Sequence, residues 1–171
     1  MKTLKYFFQF FIISILFFIY KIFGLRFASY ISSKIISFVG PLFRSKYLIK
    51  SNILKAFPTL NQNEIEKISK VMWGNYGRIL AEYPFIKKFR SSKSEKYIEV
   101  VGQEFLNKIK EENEPVIFVS GHFSNFELMA MHIEKSGISL AAIYRPLNNK
   151  FLNPIMEKIR KKYICKNQIK K

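Results

Sequence analysis

The first 63 residues limit the fold most tightly. They hold nine Lys or Arg, no acidic residue, and the densest apolar runs in the chain. Residues 6–20 are apolar except for Gln9 and Ser14, with Lys2 and Lys5 before them and Lys21 and Arg26 after. So many consecutive aromatic and aliphatic side chains leave no polar face for water, which calls for lipid or a protein core around the helix. The run is shorter than the ~20 residues of an ordinary spanning helix. Adding Ile22 and Phe23, with Lys21 snorkelling, brings it to just spanning length. No small-residue cleavage site follows, which argues against a removed signal peptide. A second apolar stretch, residues 27–43, is interrupted by Lys34 and by Gly40-Pro41 and reads as an interfacial helix. Lys21, Arg26, Lys34, Arg44, Lys46 and Lys50 outnumber Lys2 and Lys5, so the positive-inside rule keeps the bulk of the chain cytoplasmic. The alternative is a buried core helix of a soluble protein. Residues 1–45 are read as a hydrophobic membrane-anchoring segment and 46–171 as the body.

Charge narrows the partners. The chain has 29 Lys+Arg against 12 acidic residues, all Glu, for a net charge of +17. Such an excess calls for a polyanionic partner: anionic lipid headgroups, an acidic protein or nucleic acid. Basic and apolar residues in the same third favour a membrane surface. Nucleic acid is not expected, because no binding motif accompanies the charge. One cysteine, Cys165, excludes an intramolecular disulfide and leaves no zinc-ligand cluster.

The body alternates helix and strand signals. Asn61 with Glu64 marks a helix start, and Ile65, Ile68, Met72, Tyr76, Ile79 and Tyr83 follow at helical spacing until Pro84. Residues 89–96 read as a basic loop. Strands are expected over 97–101, 115–120 and 138–144, and helices over 103–112, 125–135 and 149–162. This order implies an α/β fold: an N-terminal membrane-associated helix, further helices, and a parallel or mixed sheet. Ligand chemistry in such sheets lies at the carboxyl ends of the strands, where His122 and Arg145 fall.

His122 follows an apolar, β-branched run, and Glu127 comes five residues later where a helix begins. That placement lets an imidazole meet a carboxylate able to fix its tautomer and stabilise the imidazolium, so the pair can take a proton from an alcohol. The plainer alternatives are a structural histidine and a glutamate that complements a helix N-terminus. His132, in mid-helix, reads as surface or packing. One His beside one Glu, with no second His or Cys near, gives no metal site.

The stretch Ser120-Gly-His-Phe-Ser-Asn-Phe-Glu-Leu128 resembles the H-x-x-x-x-D/E motif of the bacterial lipid A biosynthesis acyltransferases. Tyr144-Arg-Pro-Leu-Asn-Asn149, followed by an amphipathic helix with Arg160, is similar to a second motif of that family. Asn52-Ile-Leu-Lys-Ala-Phe-Pro58 and the Gly77 to Glu82 region look like it too. Ser124 stands where the family usually has Gly, and Phe126 where it usually has Trp.

The resemblance implies a fold of the glycerolipid/lipid A acyltransferase type with an incomplete sheet. It implies an enzyme that moves an acyl chain from acyl-acyl carrier protein to a hydroxyl of a lipid A precursor, with no other cofactor. Membrane lipids, lipid A precursor and acyl carrier protein are the partners, at the cytoplasmic face of the cell inner membrane. His122 would be the general base and Glu127 would orient it. Amides near Ser124 and Asn125 would stabilise the oxyanion. Arg145 would bind phosphate or stabilise charge at the rim, unless it is a surface ion pair. Arg160 would contact lipid phosphate or the carrier. Family members run past the second motif, so 46–171 is expected to be the N-terminal part of the acyltransferase domain. The alternative is a catalytically inactive, truncated membrane-associated remnant, or half of a split acyltransferase.

Overall fold

In the computed structural model, which describes residues 2–91 and 97–171, the chain is mostly helical with one small parallel sheet. Helices α1 (Lys2–Phe23), α2 (Leu25–Val39), α3 (Lys46–Ala56) and α4 (Gln62–Glu82) fill the first half. The second half runs α5 (Ile86–Arg90), α6 (Gln103–Glu112), α7 (Glu127–Lys135), β1 (Ala141–Tyr144), α8 (Leu152–Tyr163) and β2 (Asn167–Lys170). These elements form two compact units: Phe17–Pro84, and the residues on either side of that segment.

Within Phe17–Pro84, α2 and α4 meet along small residues. Ala28, Ser32 and Ser33 are buried on α2, and Gly74, Gly77 and Ala81 on α4. Small side chains let the two backbones come close, so dispersion contacts are dense. A Cβ on Gly77 would lie 2.7 Å from the Ser32 carbonyl carbon and 2.9 Å from Ser33 Cα, which are backbone atoms with no room to give. Ser37 Oγ donates to the Lys70 carbonyl at 3.2 Å. The expected start of α4 is present as a reciprocal cap. The Glu64 amide donates to Asn61 Oδ1 (3.1 Å), and the Asn61 amide to Glu64 Oε2 (2.8 Å). Its end is also as expected: Pro84 has no N–H to donate, and Tyr83–Phe85 tightens into a 3₁₀ turn.

The other unit is built around a β1–α8–β2 crossover. The two strands are parallel, paired from Ala141 with Asn167 to Tyr144 with Lys170, and a parallel pair requires such a connection. Met131 and Ile133 of α7, Ile164 and Cys165 after α8, and Phe85, Ile86 and Phe89 around α5 are buried. Arg90 Nη1 bonds Glu134 Oε2 (2.9 Å) and the Tyr163 carbonyl (3.0 Å), tying α5 to α7 and to the end of α8. Gln103 Oε1 lies 2.6 Å from His132 Nε2, so His132, read from sequence as surface or packing, ties α6 to α7. The start of α1 docks here as well. Asn149 Nδ2 donates to the Tyr6 carbonyl (2.9 Å) and to Gln9 Oε1 (3.2 Å), and the Phe151 ring lies against Phe7 and Phe10.

Several expected elements are corrected. The expected strands over 97–101 and 115–120 do not form: among the described residues, β1 and β2 are the whole sheet. An apolar β-branched run becomes a strand only when a neighbour supplies the ladder. Ile117 and Val119 are 92% and 91% exposed, so no neighbour covers the face of the segment that carries them. Strand β2 forms instead from a lysine-rich end with one apolar residue, Ile169, a composition without strand periodicity. Its ladder with β1 supplies what propensity does not. Of the loop expected over 89–96, residues 89 and 90 belong to α5, and 92–96 lie outside the described residues. Helix α8 starts at Leu152 rather than 149, because Asn149 Oδ1 accepts from the Phe151 and Leu152 amides and so stands ahead of the helix as a cap.

Candidate active site

Residues 115–120, outside any helix or strand, lead to His122 and the turn at 124–126, and α7 opens at Glu127. Ser124 turns the chain with φ 47°, in the left-handed region. A side chain there costs roughly 1–2 kcal/mol, which gives a physical reason for glycine at this place in the resembling family. The Leu128 amide bonds the Asn125 carbonyl (3.0 Å), and this turn presents Glu127 at the positive end of α7.

Glu127 is the most tightly held polar group of the region. Its side chain is 6% exposed, and Arg160 of α8 grips both carboxylate oxygens. Arg160 Nη2 lies 2.6 Å and Nε 3.0 Å from Oε1, and Nε lies 3.2 Å from Oε2. This forked geometry joins α7 to α8 by charge-assisted bonds in a site largely closed to water. The Arg160 guanidinium also lies over the Tyr144 ring, 5.7 Å from its centre.

Tyr144, the last residue of β1, carries the network onward. Its hydroxyl donates to Glu157 Oε1 (2.7 Å), which also accepts from Asn153 Nδ2 (2.8 Å) and pairs with Lys170 Nζ (3.1 Å). The Tyr144 hydroxyl first, then Asn153 and Lys170, pull the Glu157 carboxyl down from 4.5 to about 2. Lys170 rises in turn, chiefly through its bond to Glu157. Asn153 Oδ1 accepts from the Leu147 amide (2.8 Å), which fixes the chain just after Arg145-Pro146.

His122, Glu127, Arg145 and Arg160 all line one cavity of about 1280 Å³, together with Phe126 and Tyr144. Its remaining wall is mainly apolar, from residues such as Phe118, Ile133, Leu140 and Ile164. His122 is exposed, with its ring 4.0 Å from that of Phe126. Arg145 is exposed at the end of β1. In this conformation the Glu127 carboxylate is engaged by Arg160 and the imidazole rests on Phe126. Ser124 and Asn125 belong to the turn beneath His122 and are not part of the cavity lining. Tyr144, although it opens the second motif, and Glu157 carry no functional mark of their own in the sequence. The spacing of Asn153, Glu157 and Arg160 on one face of α8 was a readable signal; the reach of Tyr144 across to that face was not.

A solvent-facing imidazole in a mainly apolar cavity can exchange a proton with a hydroxyl, and the exposed Arg145 guanidinium on the same cavity can hold negative charge. Helix α1 is long and apolar enough to cross a membrane, and most of its side chains are not covered by protein. Neither the curated proteins nor the solved structures contain a match to the chain. The family model described as bacterial lipid A biosynthesis acyltransferase matches residues 1–166 of the 171. A match over nearly the whole length, two motifs included, shows that the chain belongs to the bacterial lipid A biosynthesis acyltransferase family.

Proposed function

We propose that this chain transfers an acyl chain from acyl-acyl carrier protein to a hydroxyl of a lipid A precursor, a secondary acylation of lipopolysaccharide biosynthesis. The observation that carries the reading is His122 standing exposed on a large, mainly apolar cavity that Arg145 also lines, in a chain of this family. His122 takes the proton of the acceptor hydroxyl. The alkoxide attacks the thioester carbonyl, the C–S bond breaks, and the departing thiolate recovers the proton from the imidazolium. No covalent enzyme intermediate forms. Glu127, clamped by Arg160, is the positioning residue for the turn that follows His122. Arg145 holds a phosphate of the acceptor, and the apolar wall takes the acyl chain. The basic excess suits both the anionic inner membrane, at its cytoplasmic face, and an acidic carrier protein.

A second reading is a catalytically inactive membrane-associated remnant, or half of a split acyltransferase. It is favoured by the unpaired segment 115–120, whose Ile117 and Val119 are almost fully exposed. One experiment separates the two. Membranes containing the chain are given acyl-acyl carrier protein and a tetra-acylated lipid A precursor, beside His122→Ala. Loss of general-base catalysis costs about 10²–10⁴-fold, so product should form and depend on His122 to that extent. Product that survives His122→Ala refutes the mechanism. No product from intact, membrane-bound chain supports the second reading.

A further inference from the structure

We infer that α1 lies along one face of the membrane instead of crossing it, so that the N-terminus and the catalytic unit stay on the same side. The inference rests on the membrane-associated reading above but not on the acyl-transfer chemistry. Its starting point is Asn149, a residue of the second motif that is 7% exposed and has all its side-chain polarity engaged. Its amide nitrogen holds the Tyr6 carbonyl and Gln9, while its oxygen caps α8. Phe151 packs between Phe7 and Phe10, with ring centres 5.9 and 6.1 Å away. Residues 6–10 are therefore part of the unit that carries His122, Glu127 and Arg145.

A count of crossings decides the topology. If α1 spanned the bilayer, its start would share a face with the catalytic unit and Gly24 would emerge on the other face. The chain would then need a second crossing before residue 85. Among the described residues α1 is the one helix long and apolar enough to cross. Helix α2 has 15 residues with Arg26 and Lys34 among them, and α4 carries charged residues from Glu64 to Glu82. Sinking the docked turn into the bilayer instead would drag in the exposed Lys150 and, soon after, the basic face of α8.

The surface of α1 fits an in-plane position. Tyr6, Gln9 and Phe10 are partly covered by protein, while Leu4, Phe8, Phe11, Ile12 and Ile15 point away and are 44–62% exposed. At 1.5 Å per residue the helix is about 33 Å long, with Lys2, Lys5 and Lys21 near its ends to meet headgroups. The occupant of the apolar face is the headgroup–acyl boundary of a bilayer.

The test is cysteine labelling of the full chain in sealed vesicles of known orientation, with a membrane-impermeant maleimide. Lys2→Cys and Lys5→Cys report α1, and Lys158→Cys reports the catalytic unit. The wild-type chain is the blank, since its one thiol, Cys165, is buried. All three variants should label from the same face. If Lys2→Cys and Lys5→Cys label only from the face opposite to Lys158→Cys, α1 crosses and the inference is wrong. A chain that stays soluble, or covers this face by pairing with a second copy, overturns the membrane reading and the inference with it.

Discussion

Replacing Arg160 with methionine isolates the contribution of the clamp on Glu127. Methionine keeps much of the stem volume but removes three bonds of 2.6–3.2 Å from a carboxylate that is only 6% exposed. Stripping one partner from a fully buried ion pair costs about 3–5 kcal/mol, because the remaining charge has lost its compensation. Arg160 is itself 15% exposed, so some water can reach the site and the low end, about 3 kcal/mol, applies. For a chain of this size, each kcal/mol moves the melting temperature by about 2–4 °C, which gives a fall of about 6–12 °C. Thermal unfolding followed by circular dichroism in detergent micelles reads this directly. Adding Glu127→Leu should recover more than half of the loss, since a buried pair replaced by apolar residues on both sides is close to neutral. A fall below about 2 °C, or a double variant no better than the sum of the single ones, would refute the idea that this pair joins α7 to α8.

Two further perturbations test the rest of the scaffold. Glu157 has its folded value near 2 against an ordinary 4.5, so its stabilising effect is complete above pH 4.5 and disappears as pH falls toward 2. Tyr144→Phe removes the largest cause of that depression, so the acid loss of melting temperature should be smaller and should level off at a higher pH than in wild type; coincident acid profiles would show that the bond does not hold Glu157. Gly77→Ala forces a Cβ onto the Ser32–Ser33 backbone, and overpacking of this kind costs about 1–3 kcal/mol. A Gly77→Ala chain that melts with wild type would show that α2 and α4 are less closely packed than described.

The clamp also bears on how the site works. Both carboxylate oxygens of Glu127 are directed at α8, and α8 is fixed to β1 through Glu157 and Tyr144 and to α1 through Asn149. The turn bearing His122 is therefore braced from below by a chain of polar contacts, while the imidazole itself faces the cavity. On the proposed reading, bracing the supporting turn while leaving His122 accessible is what proton transfer from an acceptor hydroxyl requires.

Much of this was written in the sequence, because it depends on neighbours along the chain. The apolar N-terminal helix follows from fifteen residues with only two polar interruptions. The Asn61–Glu64 cap and the stop at Pro84 follow from local hydrogen-bond chemistry. The motif around His122 and Glu127 located the turn and the helix behind it, and the family with them. Tertiary structure decided what depends on partners far apart in number. Residues 115–120 have the composition of a strand but found no ladder, whereas the polar residues Asn167–Lys170 found one on β1. Arg160 is an amphipathic-helix arginine in the sequence, and only the crossover of α8 brings it onto Glu127, 33 residues away. Asn149 reaches Tyr6 across 143 residues, and that contact is invisible to any hydropathy count. Local pattern fixes which backbone conformation each segment prefers, but a hydrogen bond or ion pair between distant residues exists only once packing has brought the two groups within 3 Å of each other.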